Sequence, residues 1–196
     1  MNADATALPA SLPDHLAGRF IVLVGLMGAG KTSLGRRLAN ATGLPFVDSD
    51  IEIERAAGCS IPEIFERYGE SEFRSGERRV IERILEGERA IVATGGGAFM
   101  DEHTRALLRA KAIIVWLRAD LDTLVRRTKR RNDRPLLKTG DPRDVLRHLM
   151  DERYPVYGQA DIIIDVDDEP PKETTARLLA RLVSFTDDAK PALART

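Results

Sequence analysis

The chain alternates short apolar runs with longer segments of helical period. Phe20-Ile21-Val22-Leu23-Val24 is apolar at every position, rich in branched side chains, and stopped by Gly25. Such a run predicts a strand covered on both faces. From 31 to 42 the period changes, with Leu34, Leu38 and Ala41 on one face and Gly43 as the stop, which predicts a helix. A second strand is expected at 44–47. Ser60-Ile61-Pro62-Glu63 has the form of a capping box and opens a helix burying Ile61, Ile64, Phe65 and Tyr68 as far as Gly69. A longer helix is expected over 72–86, then a strand at 90–94 ended by Gly95-Gly96-Gly97. A helix after Asp101, a strand at 112–117 and a helix capped by Asp120 follow. Asp141-Pro142 opens another helix, 161–166 is a fifth strand, and an amphipathic helix follows Pro170-Pro171.

Strands separated by helices require crossover connections, so the expected fold class is α/β: three layers, with a central five-stranded parallel sheet between helices. Ligands then bind at the carboxyl ends of the strands, where Gly25, Asp48, Gly95 and Leu117 fall. One domain is expected over 19–186, flanked by loose tails at 1–18 and 187–196.

Composition narrows the partners. The 196 residues carry 30 basic and 31 acidic side chains, a net charge of −1, so no overall charge favours nucleic acid or an anionic membrane. The single cysteine, Cys59, excludes an intramolecular disulfide framework. No apolar run approaches the length of a membrane span. Arg19 is the first Lys or Arg, which gives no charged leader before an apolar stretch. A cytoplasmic setting is expected.

Gly25-Leu26-Met27-Gly28-Ala29-Gly30-Lys31-Thr32 fits G-x-x-x-x-G-K-[ST], between an expected strand and an expected helix. Glycines let backbone N–H groups converge on phosphate oxygens. Lys31 adds positive charge near the β- and γ-phosphates, and the Thr32 hydroxyl is a ligand for Mg²⁺. Gly28, Ala29, Gly30, Lys31, Thr32 and Ser33 are the expected nucleotide contacts. Asp48-Ser49-Asp50 follows the second strand. In extended chain its two carboxylates face the same side, one toward Mg²⁺ and one toward an acceptor hydroxyl; capping of the next helix is the alternative. Asp165, after Ile162-Ile163-Ile164, competes as the metal carboxylate. No N-K-x-D and no D-x-x-G occurs, which disfavours a GTPase.

Gly95-Gly96-Gly97 either frees backbone N–H groups for a ligand or makes a turn needing positive φ. The basic stretch from Arg126 to Lys138 reads as a solvated helix face or as a lid carrying an arginine to the γ-phosphate. Arg74 and Arg153 suit a carboxylate, with surface ion pairs as the alternative.

Taken in order, these motifs resemble the shikimate kinase family from about Phe20 to Leu182. The resemblance rests on the phosphate loop, Asp48-Ser49-Asp50, Glu72-Phe73-Arg74, Gly95-Gly96-Gly97, Arg134-Pro135-Leu136-Leu137 and Arg153-Tyr154-Pro155-Val156-Tyr157. It implies a P-loop fold like that of nucleoside monophosphate kinases, a substrate region near 50–86 and a lid near 128–142. It further implies that Asp48 helps place Mg²⁺, that Asp50 binds the shikimate hydroxyls and is the candidate base, and that Arg74 and Arg153 bind its carboxylate. Gly96 and Gly97 contact the ring, Arg127 packs on adenine, and Arg134 reaches the transferring phosphate. ATP and shikimate are then the partners of a monomeric enzyme, with Mg²⁺ as cofactor and phosphorylation of the 3-hydroxyl, on the route to chorismate, as the reaction. The alternatives are a kinase of another small metabolite such as gluconate, and a nucleotide-binding module that transfers nothing.

Overall fold

A computed structural model describes residues 18–129 and 141–186, together with Pro13 and Leu16. Among these, five strands form one sheet: β1 (Phe20–Val24), β2 (Phe46–Asp48), β3 (Ile91–Ala93), β4 (Ala112–Arg118) and β5 (Ile162–Asp165). The order is β2-β3-β1-β4-β5, and every pairing is parallel. The connecting helices are α1 (Lys31–Thr42), α2 (Ser49–Ala57), α3 (Ile61–Glu86), α4 (Glu102–Lys111), α5 (Leu121–Thr128), α6 (Pro142–Tyr157) and α7 (Pro171–Val183). All five β1 residues are buried, as expected of a central strand with helices over both faces.

The chain leaves β1 toward β2 on one side and later crosses from β3 to β4 on the other. The crevice at the carboxyl end of β1 is therefore the switch point of the sheet. Gly25 to Gly30 fills it.

The packed chain reaches back to Leu16, which is buried in the main core. Ile53, Ile64, Phe73 and Val80 make a second, smaller core between α2 and α3, with Cys59 and Phe65 at its edge. The Phe65 and Phe73 rings lie 4.5 Å apart, centroid to centroid. This satellite core gives residues 50–86 packing of their own and holds the start of α2 and the middle of α3 beside the crevice.

Several local expectations need correction. Tyr68 is exposed rather than buried. Gly69 does break the helix, with φ +77°, but helical chain resumes immediately, so 61–86 is one kinked element. Glu63 accepts from both the N–H (2.9 Å) and the hydroxyl (2.7 Å) of Ser60, which fixes the helix start. Asp48-Ser49-Asp50 is not extended: Asp48 is the N-cap of α2, and Ser49 and Asp50 are its first helical residues. Among the described residues no helix is long and apolar enough to cross a membrane.

Candidate active site

The phosphate loop runs from the end of β1 into α1. Gly30 is the N-cap of α1 at φ +94° and offers no side-chain cap. The first N–H groups of the helix therefore keep their donor capacity, at the positive end of the helix dipole. The Lys31 ammonium donates to the Gly25 (2.6 Å) and Leu26 (3.0 Å) carbonyls. Thr32 donates its hydroxyl proton to Asp48 Oδ2 at 2.8 Å. Asp48 Oδ1 accepts from the Asp50 N–H at 3.1 Å. The capping reading of Asp48 therefore holds through Oδ1, while Oδ2 faces the Thr32 hydroxyl.

A cavity of about 330 Å³ opens here, walled by the phosphate loop, Asp48, Asp50, Gly96 and Arg127. Its size suits a small-molecule ligand. Arg127 Nη2 donates to the Asp167 carbonyl at 2.5 Å. Asp165, the competing carboxylate, is taken up by Arg118, which donates to both of its oxygens at 2.5 and 2.8 Å.

The triglycine segment explains the rest of the site. None of its three residues has positive φ, so the turn reading is not why glycine stands there. Contact is the reason. A Cβ on Gly95 would lie 2.8 Å from Asp50 Oδ1 and 2.8 Å from Glu77 Oε1. A Cβ on Gly97 would lie 2.7 Å from Arg74 Cζ. The Ser49 hydroxyl accepts from the Gly95 N–H at 3.2 Å. The Gly96 carbonyl accepts from Arg153 Nη1 at 3.0 Å. Three separate elements, α2, α3 and α6, thereby converge on three residues.

The ion-pair alternative holds for Arg74, which is half-buried and pairs along its own helix, whereas Arg153 is buried. Arg153 is 8% exposed, and its buried Nε has no hydrogen-bond partner among the described residues. Arg74 pairs with Glu77 Oε2 at 2.7 Å and Glu70 Oε1 at 3.2 Å. Neither arginine walls the 330 Å³ cavity; they reach Gly97 and Gly96 from either side. Burial opposes the charge on Arg74, but Glu77 and Glu70 more than offset it and its pKa moves up. Burial also pushes the Glu77 carboxyl above its ordinary value; Arg74 offsets part of this, while the Asp50 charge adds to it.

The chain matches the family model described as shikimate kinase over residues 27–183. The chain is 53% identical over 185 residues to a shikimate kinase of Paramagnetospirillum magneticum, covering 94% of this chain and 95% of that one. It is 53% identical over 182 residues to one of Rhodopseudomonas palustris, covering 93% and 90%. A solved shikimate kinase of Acinetobacter baumannii, in complex with shikimate, superposes with a TM-score of 0.82 at 38% identity, covering 86% of this chain and 94% of that one. The chain belongs to the shikimate kinase family. In this chain, Lys31, Thr32, Asp48, Asp50, Gly96 and Arg127 line one cavity. Gly97, Arg74 and Arg153 stand directly against it or its glycine segment. Arg134 and residues 130–140, most of the lid expected near 128–142, lie outside the described residues.

Sequence reasoning missed Glu77, which is 3% exposed, with one oxygen on Arg74 and the other without a hydrogen-bond partner among the described residues. Its signal was the i,i+3 spacing from Arg74 on a helix. It also assigned nothing to Ser49 or Tyr157.

Proposed function

We propose that the chain transfers the γ-phosphoryl group of ATP to the 3-hydroxyl of shikimate, giving 3-phosphoshikimate and ADP on the route to chorismate and the aromatic amino acids. One observation carries this reading. The nucleotide cavity is walled by Asp50 and Gly96, and two guanidinium groups, buried Arg153 and half-buried Arg74, meet the adjoining glycine segment. A cyclic acid with a hydroxyl on one side and a carboxylate on the other fits between such groups.

Phosphoryl transfer needs mostly positioning and charge neutralisation from the protein. The α1 N-terminus and Lys31 hold the phosphates. Arg127 packs on the adenine. Arg74 and Arg153 hold the carboxylate of the acceptor, Gly96 and Gly97 lie against its ring, and this remote binding energy aims the hydroxyl. Asp50 accepts the hydrogen bond of that hydroxyl and takes its proton as the oxygen–phosphorus bond forms and the bond to ADP breaks. The paired oxygens of Thr32 and Asp48 suit a hard divalent cation and would hold Mg²⁺. When bound, that ion supplies charge neutralisation at the β- and γ-phosphates. Arg134 is assigned to the transferring phosphate on the resemblance of its motif alone.

The test is ADP release coupled to product mass, with shikimate, gluconate and nucleoside monophosphates as acceptors. Turnover with shikimate and an added phosphoryl mass on it is expected. Turnover with gluconate and none with shikimate would transfer the chain to another kinase class. ATP binding with no product from any acceptor would make it a non-catalytic module.

A further inference from the structure

Tyr157 is the largest fully buried side chain at the site and has no part in the mechanism above. It sits at the end of α6, 0% exposed. Its ring packs among aromatic neighbours, with centroids 5.9 Å from Trp116, 6.3 Å from Phe99 and 6.3 Å from Tyr154. A phenylalanine would fill that space equally well. The hydroxyl is the surplus, and burying it without a partner is costly. Its partner is the Gly96 carbonyl oxygen, to which it donates.

That same oxygen accepts from Arg153 Nη1 at 3.0 Å. Arg153 and Tyr157 are four residues apart on one helix and so share a face. Together they occupy both lone pairs of one carbonyl. Gly96 is also wedged against the phosphate loop: a Cβ there would lie 3.6 Å from the Gly25 carbonyl oxygen and 3.7 Å from the Met27 nitrogen. Because the peptide is planar and trans, holding the Gly96 carbonyl toward α6 turns the Gly97 N–H away from α6. Gly97 is the residue against which Arg74 lies.

We propose that Tyr157 is a positioning residue for the acceptor: its hydroxyl and Arg153 clamp the Gly96 carbonyl, which fixes the Arg153 guanidinium and the orientation of the glycine segment. The inference rests on the proposed acceptor site. Burial pushes the Tyr157 pKa up to about 12, so the hydroxyl stays a donor across the working range of the enzyme.

The experiment is steady-state kinetics of the full chain and of Tyr157→Phe, alone and combined with Arg153→Lys, with melting temperatures alongside. Tyr157→Phe keeps the ring and removes only the clamp. Its KM for shikimate should rise about fivefold, the effect of one lost hydrogen bond, with KM for ATP and kcat each within twofold of the parent. In the Arg153→Lys background the same change should raise the shikimate KM by less than twofold, because the two side chains act on one oxygen. An unmoved shikimate KM, whether or not kcat falls, overturns the inference. So does an equal rise in both KM values with a lowered melting temperature, which marks a purely structural role. A parent enzyme that does not phosphorylate shikimate overturns the functional reading itself, and this inference with it; a parent that does, with an unmoved variant, sinks the inference alone.

Discussion

Thr32 and Asp48 join the two helices that frame the nucleotide site: the threonine hydroxyl donates to Asp48 Oδ2 at 2.8 Å, while Asp48 Oδ1 caps α2 through the Asp50 N–H. One carboxylate therefore serves both the phosphate side and the acceptor side. It fixes the start of α2, and with it the position of Asp50, relative to the loop that holds the phosphates.

Two substitutions at Asp48 separate these roles. Asp48→Asn keeps an oxygen for the Asp50 N–H, so urea denaturation should find stability close to the parent. Losing the charge should raise the Mg²⁺ concentration needed for half-maximal turnover and lower turnover by at least roughly tenfold. Asp48→Ala should add the loss of the cap, about 1 kcal/mol of stability. Unchanged Mg²⁺ dependence in the asparagine variant would remove Asp48 from the metal site.

Asp50→Ala tests the acceptor end. Asp50 walls the cavity but lies beyond the phosphate loop, so ATP binding measured by calorimetry should persist while turnover with shikimate is nearly abolished. Retained turnover would exclude Asp50 from the chemistry.

The phosphate loop was legible because its chemistry is local: eight adjacent residues between a strand and a helix carry the whole signal. β1, β3 and β4 were legible because each is a short run buried on both faces; the edge strands β2 and β5 are only partly buried and were read from their apolar residues. The start of α2 was not. Ile51 and Ile53 alternate with Glu52 and Glu54 as a strand would, and α2 buries only Ser49 and Ile53, so the local pattern carries little helical period. The triglycine segment stood out in the sequence, but the contacts that require glycine there did not. The groups that a side chain there would displace, Asp50, Glu77 and Arg74, come from two other helices and meet it only in the fold. Glu77 is spaced to meet Arg74, but so is Glu70 on the other side, and spacing does not tell which of the two is buried.

Gly97 and Arg74 make a paired prediction. A Cβ on Gly97 would press on the guanidinium rather than on backbone, and a long side chain yields at little cost to the fold. Gly97→Ala should therefore melt within a few degrees of the parent yet raise the KM for shikimate, because Arg74 is displaced. Arg74→Lys should weaken shikimate binding by roughly 1–3 kcal/mol, since the fork geometry is lost. Unaltered shikimate KM values in both would separate Arg74 from the acceptor.

Glu77 gives the pH dependence a sign. Burial raises its folded-state pKa above the ordinary 4.5. Between the unfolded and folded values the native chain holds a proton that the unfolded chain has released, so stability falls as pH rises through that window. Above the folded value the cost is fully present; below the unfolded value it is absent. Glu77→Gln removes this titration while keeping an acceptor for Arg74. Urea denaturation at a series of pH values should then show the variant gaining on the parent as pH rises from about 4.5, the unfolded carboxyl value, and holding a constant difference above the folded pKa. A difference that does not vary with pH would mean that Glu77 is ionised as readily in the folded chain as in the unfolded one, and that the Arg74 charge fully compensates its burial.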